Sequence, residues 1–577
     1  MSRNQPWWQE AVVYEVYPRS FADADGDGIG DLAGLRSRLP YLADLGVDAV
    51  WLTPFYPSPL ADGGYDISDY RDVDPRLGTL AGFDALAADA AAHGIRLIVD
   101  IVPNHCSAGH PYFREALAAP PGSSERDMFM FRDGRGERGE LPPNNWQSVF
   151  HGPAWTRVTE PDGRPGQWYL HLFDESQPDW NWRNPAVARY FEEIIRFWLD
   201  RGAAGLRIDV AHGIFKDPDL TDLTDPVAPH APTAYYHRPE LHDLYRSWRT
   251  ILDSYPAEEF PGSRTAVGEV WYDSPATLMP YLAGSGLPQV FNFQLILARW
   301  DAGELRDAID AVQALADGSR APWVIGNHDV PRPVSRYAMG VAGVPPVPDI
   351  PRASAGLPRA GSTELLAGAQ RARAAALLLL ALPGSAYLYQ GEELGLPEVV
   401  ELPGEARADP TFRRSGGTVL GRDGCRVPLP WSATGPSFGF SSGNDGAAPS
   451  APWLPQPEYW GRYSVAEQRG DPGSFLNLYR SALRLRRAHP ALGYGRPGGS
   501  ASLTWIAGPD VPPGMLCFSR EPGFTFAANL GPGPVPLPPH TDVLLASGPL
   551  SDGKLPADTA VWLASQGSWS PDGATAG

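Results

Sequence analysis

The 577-residue chain holds only three cysteines, Cys106, Cys425 and Cys517, far apart and without metal-ligand spacing. A number so small, and odd, excludes a disulfide framework and fits a reducing compartment. No apolar run is long enough to span a bilayer. The longest, Ala374 to Leu382, stops at Pro383-Gly384 and reads as a buried helix. Met1 to Trp8 leads straight into a strand pattern without a signal-peptide pattern, so a cytoplasmic location is expected. Basic residues are outnumbered, 47 against 67 acidic, for a formal charge of −20. Such a surface repels phosphate backbones and anionic lipid, which argues against nucleic acid and membrane partners but leaves a neutral ligand indifferent. No phosphate-binding glycine-rich turn follows the first strand, which argues against a doubly wound nucleotide-binding sheet.

What is present is ordinary globular composition, 43% hydrophobic and 20% charged, at a length that allows two to four domains. Strand patterns alternate with helical ones. Strands are predicted at Val12 to Tyr17, Ala49 to Phe55, Arg96 to Val102, Gly205 to Val210, Thr265 to Val270, Val290 to Leu295, Trp323 to Gly326 and Ala386 to Tyr389. The helix before the fourth strand carries Val187, Tyr190, Phe191, Ile194, Ile195 and Trp198 on one face, behind an Asn184-Pro185 start signal. Eight β/α units predict an α/β fold of the (β/α)8 TIM-barrel type.

Insertions interrupt the repeat. The barrel is expected to begin in residues 1–105 and to be broken by an inserted domain at 106–177. It resumes over 178–493, with a Pro-, Gly- and Trp-rich insertion at 396–472 after the eighth strand and an extended loop from Gly340 to Ala360. Short strands from Leu503 to Leu563 predict a small all-β domain, a β-sandwich, over 494–577, frayed after Ala564.

The charged residues fall at strand ends, where barrel enzymes keep their chemistry. In Gly205-Leu206-Arg207-Ile208-Asp209-Val210 the charges share one face of an otherwise apolar strand. A structural ion pair would explain that hexapeptide alone. Yet the fifth strand carries Glu269 and the seventh ends in Asn327-His328-Asp329, so three carboxylates converge on one barrel mouth. Such a set suits acetal cleavage, which needs an acid for the leaving oxygen, a second carboxylate, and negative charge near a cationic transition state. Glu269, followed by Val270 and Trp271, is the better candidate for a raised pKa; Asp209, beside Arg207, for a depressed one.

Four segments, Asp100 to His105, Gly205 to Val210, Val267 to Trp271 and Val324 to Asp329, resemble the signature regions of the α-amylase family of glycoside hydrolases. Tyr65-Asp66-Ile-Ser-Asp-Tyr70 and the Arg332 to Arg336 segment extend the resemblance. Gln177-Pro178-Asp179 is similar to the segment marking the α-glucosidase and oligo-1,6-glucosidase branch. The resemblance implies a retaining mechanism with Asp209 as nucleophile, Glu269 as acid/base and Asp329 as transition-state stabiliser. It places Asp66, His105, Arg207 and His328 around the glucose, with Arg422 as the late pocket arginine, although the following Cys425-Arg-Val-Pro-Leu-Pro-Trp431 departs from the family pattern. Tyr65, an aromatic able to stack on a sugar ring, is a candidate pocket wall. Phe173 is a further candidate wall.

In the first βα loop, Asp23, Asp25, Asp27 and Asp31 crowd four carboxylates into nine positions, which calls for a cation. An EF-hand is excluded because its twelfth position is Gly34. The resemblance implies a structural Ca2+ held by the Asp side chains and the Ile29 carbonyl.

The expected activity is an exo-acting α-glucosidase releasing terminal glucose from short α-1,4-linked oligosaccharides or disaccharides, with oligo-1,6-glucosidase close behind. In similar enzymes Val after the nucleophile, here Val210, tends to accompany α-1,6 cleavage. A glucosyl isomerase or transferase would share every catalytic residue. A non-enzymatic relative would have lost carboxylates that this chain keeps.

Overall fold

Short apolar strands, each followed by an amphipathic helix, bury both faces only when the strands run parallel and the helices wrap them. The computed structural model describes residues 6–225, 234–271, 274–315, 320–339, 356–442, 449–492, 503–508 and 511–565. Most of the expected 340–360 loop, and the tail beyond Ser565, lie outside them.

The barrel strands are β1 (Val12–Val16), β2 (Ala49–Leu52), β3 (Arg96–Ile101), β4 (Gly205–Ile208), β5 (Thr265–Gly268), β6 (Gln289–Val290), β7 (Trp323–Val324) and β8 (Ala386–Tyr389). They pair in the order β7-β8-β1-β2-β3-β4-β5-β6, and every pair is parallel. A parallel bridge between Asn292 and Trp323 joins the last strand to the first and closes the barrel. The sixth strand is shorter than its apolar pattern predicts. Asn292 Oδ1 accepts the Gln294 amide at 3.0 Å and turns the chain into a one-turn helix, Gln294–Leu297.

Helix Pro185–Asp200 starts as its sequence signals. Asn184 caps it through the Ala186 amide at 2.9 Å, Pro185 takes the first position, and the predicted apolar stripe is buried. Helix Thr363–Ala381 contains the apolar run from Ala374 as far as Ala381, with Leu382 as its C-cap. Its C-terminal carbonyls are capped by Arg486, which donates to Leu380 O at 2.6 Å and Leu382 O at 3.0 Å.

Strand alternation explains the pocket floor. Val13, Trp51, Ile98, Val267, Phe291 and Tyr387 form one core inside the barrel. Two residues further along β1, β3 and β5, the same faces present Glu15, Asp100 and Glu269. A layer of acids therefore sits on an apolar plug at the C-terminal end of the barrel.

The segment after β3 carries a helix, Pro111–Ala118, and a three-stranded antiparallel sheet in the order Phe131–Arg132, Pro165–Leu170, Trp155–Thr159. Near the C-terminus, a five-stranded antiparallel sheet packs one face on helix Thr363–Ala381, where Trp562 Nε1 donates to Leu377 O at 3.0 Å. Leu555 and Val535, from a two-stranded ribbon, cover its other face, so the sandwich is unequal.

Candidate active site

Arg207 is the hub of the barrel mouth. Its Nη1 lies 2.6 Å from Asp209 Oδ1 and 3.1 Å from Asp100 Oδ1, and its Nη2 lies 2.8 Å from Glu269 Oε2. All four side chains are buried. Burial first, and then Glu269 and Asp100, raise the Asp209 carboxyl, with Arg207 pulling the other way. Asp100 is raised by burial in the same manner. From sequence alone Arg207 is expected to depress Asp209. In the structure that cation is shared among three buried carboxylates, and burial outweighs it. Groups this close titrate as a set rather than one by one.

Glu269 is held from both sides. Trp271 Nε1 donates to Oε1 at 3.0 Å, and the Val210 amide donates to Oε2 at 3.1 Å. Val210 makes that contact from φ +44°, a left-handed conformation that costs a β-branched residue about 1–3 kcal/mol.

Asp329 is placed opposite in charge logic. Burial alone would raise it, but His328 at 3.4 Å and the guanidinium groups of Arg422 (3.1 Å), Arg426 (2.9 Å) and the more remote Arg207 hold it well below the carboxylate range. One carboxyl held low beside two pushed up is the kind of contrast that acid-assisted cleavage of an acetal uses.

The remaining predicted pocket residues sort themselves. Tyr65 stacks on His328, with ring centroids 5.3 Å apart, and its hydroxyl lies 2.7 Å from His328 Nε2 and 3.1 Å from Asp100 Oδ2. His105 lies against Phe173 at 4.9 Å, and its Nε2 is 3.1 Å from Gln177 Nε2. Burial pushes the His105 imidazole down to about 3, so it is neutral at working pH. Arg422 reaches Asp62 at 2.6 Å, Asp409 at 2.6 Å and Asp329 at 3.1 Å.

Asp66 is not brought to this set. Its oxygens accept from Ser58 Oγ and from the amides of Ala61 and Asp62, at 2.8–3.1 Å, and so shape the loop that delivers Asp62. Burial pushes its carboxyl up to about 6.

Several residues of the site were not singled out from sequence. Asp62, Asp100, Gln177 and Arg426 all stood inside or beside quoted motifs. Only Glu15 was hidden, because one acid in an apolar strand carries no pattern of its own.

The acidic loop also divides. Asp23, Asp25 and Asp27 present carboxylate oxygens within 4.8 Å of one another. Asp31 instead caps helix Leu32–Ser37 through the Gly34 amide (2.6 Å) and accepts the Ala24 amide (2.8 Å). Ile29 donates its amide to Asp27 Oδ1 at 2.7 Å. Three clustered carboxylates fit the all-oxygen donor set of a hard divalent cation. The loop clasps the insertion after β8: Ser442 and Trp453 donate to the carbonyls of Asp23 (2.9 Å) and Gly28 (3.0 Å). Gly28, at φ +92°, admits no side chain, since a Cβ would meet Ala451 O at 2.2 Å.

Comparison with known proteins agrees with this geometry. The α-amylase catalytic-domain family model matches residues 15–343 and 349–495. The chain is 38% identical over 512 residues to a probable α-glucosidase of Rhizobium meliloti, covering 85% of this chain and 84% of the relative. It is 33% identical over 530 residues to the oligo-1,6-glucosidase of Parageobacillus thermoglucosidasius, covering 85% of each. Among solved structures, the α-glucosyl transfer enzyme XgtA superposes with a TM-score of 0.80 at 35% identity, covering 98% of this chain and 100% of that one. With the barrel, its acidic mouth and these relatives in agreement, the chain belongs to the α-amylase family of glycoside hydrolases.

Proposed function

We propose that the protein is a retaining, exo-acting α-glucosidase that releases terminal glucose from short α-1,4-linked oligosaccharides and disaccharides. The observation that carries the exo reading is the Arg422–Asp62 ion pair, which ties the loop after β2 to the insertion after β8 beside Asp329. The retaining reading is supported by Arg207, whose single fork reaches both Asp209 and Glu269. Carboxylates that share one guanidinium fit the spacing of about 5–5.5 Å used for nucleophilic attack better than the wider spacing that admits a water.

Asp209 attacks the anomeric carbon while the proton held by the cluster passes through Glu269 to the leaving oxygen. The cationic transition state is stabilised by Asp329, kept ionised by Arg422 and Arg426. Glu269, now a carboxylate, takes a proton from water, which attacks the glucosyl-Asp209 ester and regenerates the enzyme. The neutral ring of His105 offers a hydrogen bond to a glucose hydroxyl, while His328 holds Tyr65 and Asp329 in place.

The likeness to an α-glucosyl transfer enzyme favours a second reading, in which a sugar replaces that water. Incubation with maltose, isomaltose, sucrose and trehalose, following free glucose against isomeric or longer products, separates the two. No free glucose from any substrate would sink the hydrolase reading, and an active Asp209→Asn variant would sink the retaining mechanism.

Two structural expectations complete the proposal. Ca2+, held by Asp23, Asp25 and Asp27, would staple the first βα loop against Ser442 and Trp453. The cytoplasm is the proposed location, supported by three buried, unbridged cysteines. No helix among the described residues is long and apolar enough to cross a membrane.

A further inference from the structure

Glu15 is buried at the end of β1 and has no part in the chemistry above. Its carboxylate meets the ring Nδ1 of His328 and, at 3.3 Å, the His328 backbone amide. The other ring nitrogen lies 2.7 Å from the Tyr65 hydroxyl, which is 3.1 Å from Asp100 Oδ2. Asp100 rests on Arg207, the guanidinium that also holds Asp209 and Glu269.

Counting hydrogens makes this chain two-way. The Tyr65 hydroxyl has one hydrogen. When it donates to Asp100, His328 must donate from Nε2 to the phenol oxygen; Nδ1 is then bare, and the hydrogen beside it belongs to Glu15. When Tyr65 donates to His328 Nε2, the ring carries its hydrogen on Nδ1, Glu15 is a carboxylate, and the proton has arrived on Asp100. Between the two states Glu15 gives its proton to Nδ1, Nε2 gives one to the Tyr65 oxygen, and Tyr65 gives one to Asp100. The imidazole is neutral at both ends, in keeping with the strong downward push that burial exerts on His328.

We propose that Glu15 is a proton store for the active centre, connected through His328 and Tyr65 to the Asp100–Arg207–Asp209–Glu269 cluster. It touches no substrate and is a positioning residue. The groups facing it are Asp100 on β3, Arg207 on β4, His328 and Asp329 after β7 and Tyr389 on β8, while Arg422 and Arg426 face His328. Burial first, and then Asp329, favour its protonated form, while Arg207 opposes them. The inference rests on the proposed roles of Asp209 and Glu269.

Glu15→Gln keeps the size and the hydrogen bond to His328 but has no proton to give. Losing that reserve eases deprotonation of the cluster. The alkaline limb of kcat/KM for maltose is expected to move to lower pH by about 0.5 unit or more, a differential interaction of about 0.7 kcal/mol, with KM little changed. In a Tyr65→Phe background, where the chain is cut, the same substitution is expected to move the limb no further. An unchanged limb in Glu15→Gln, or an equal shift in the Tyr65→Phe background, overturns the relay; the latter would mean charge acting through space. Should Glu15→Gln not fold, 15N NMR of histidine-labelled wild type follows His328 across the limb. Exchange between its two neutral tautomers supports the relay, and a single tautomer throughout overturns it. The tautomer result stands apart from the Asp209→Asn test of the retaining reading.

Discussion

Lys216 Nζ lies 2.8 Å from Asp179 Oδ2, with both side chains buried. Lys216 is one of only two lysines in the chain. It also donates to Asn104 Oδ1 at 2.5 Å and Gly213 O at 2.7 Å, so one ammonium ties the ends of β3 and β4 to the segment that follows the insertion.

Breaking that pair leaves a buried charge without a partner. Lys216→Met or Asp179→Asn is therefore expected to cost about 3–5 kcal/mol, with the double variant costing less than the two singles together. Denaturant unfolding checks this. Single-variant losses below 1 kcal/mol would mean that water reaches the pair.

Val210 follows the proposed nucleophile. Val210→Thr keeps the branched shape and the left-handed backbone but adds a hydroxyl inside the pocket. The ratio of kcat/KM for maltose to that for isomaltose is expected to rise about tenfold, the scale of a one-group change in a pocket. If the ratio stays put, linkage preference is decided elsewhere.

Stability should fall as pH rises above the acid range. Burial pushes Glu392 up to about 8, Glu398 to about 7 and Asp66 to about 6. These carboxyls bind protons in the folded state that the unfolded chain has already released. Their contribution is complete below their unfolded values near 4 and is lost as pH climbs through the folded ones. Each group lowers stability by up to about 1.4 kcal/mol per pH unit across its window. Glu392→Gln, which can keep the Tyr479 contact seen at 2.8 Å, is expected to flatten the decline up to pH 8. Thermal midpoints at pH 5 and pH 8 in both proteins give the answer, and equal slopes refute it.

Calcium removal should affect stability rather than turnover. Adding Ca2+ at a hundredfold excess over its Kd is expected to stabilise the fold by about 2.7 kcal/mol, and EGTA to reverse it, with kcat at 25 °C unchanged. Asp25→Asn should weaken the response. A melting midpoint indifferent to both additions would remove the site.

The acids Asp209, Glu269 and Asp329 were legible because each interrupts an apolar strand end in a chain of eight β/α repeats. The neighbouring loop was harder. Asp62 and Asp66 stand four residues apart in one polar turn, and only the folded turn shows that Asp66 receives the amides while Asp62 meets Arg422. Likewise Arg426 stands four residues after Arg422, yet both reach Asp329 because the chain makes a short 3-10 turn at Asp423–Cys425 between them.

By itself the sequence determined the barrel and the three acids placed at its strand ends, since strand alternation and strand-end placement are local properties. Tertiary structure decided who owns the protons. Asp209 looks like an acid beside its own arginine when read along the strand. In the fold that arginine is shared with Asp100 and Glu269, and burial raises what one local cation would have lowered. Glu15 becomes a partner of His328, 313 residues away, only because the closed barrel brings the end of β1 and the turn after β7 to one mouth. Charge state depends on distance and on exclusion of water, and neither is written in the spacing of residues along the chain.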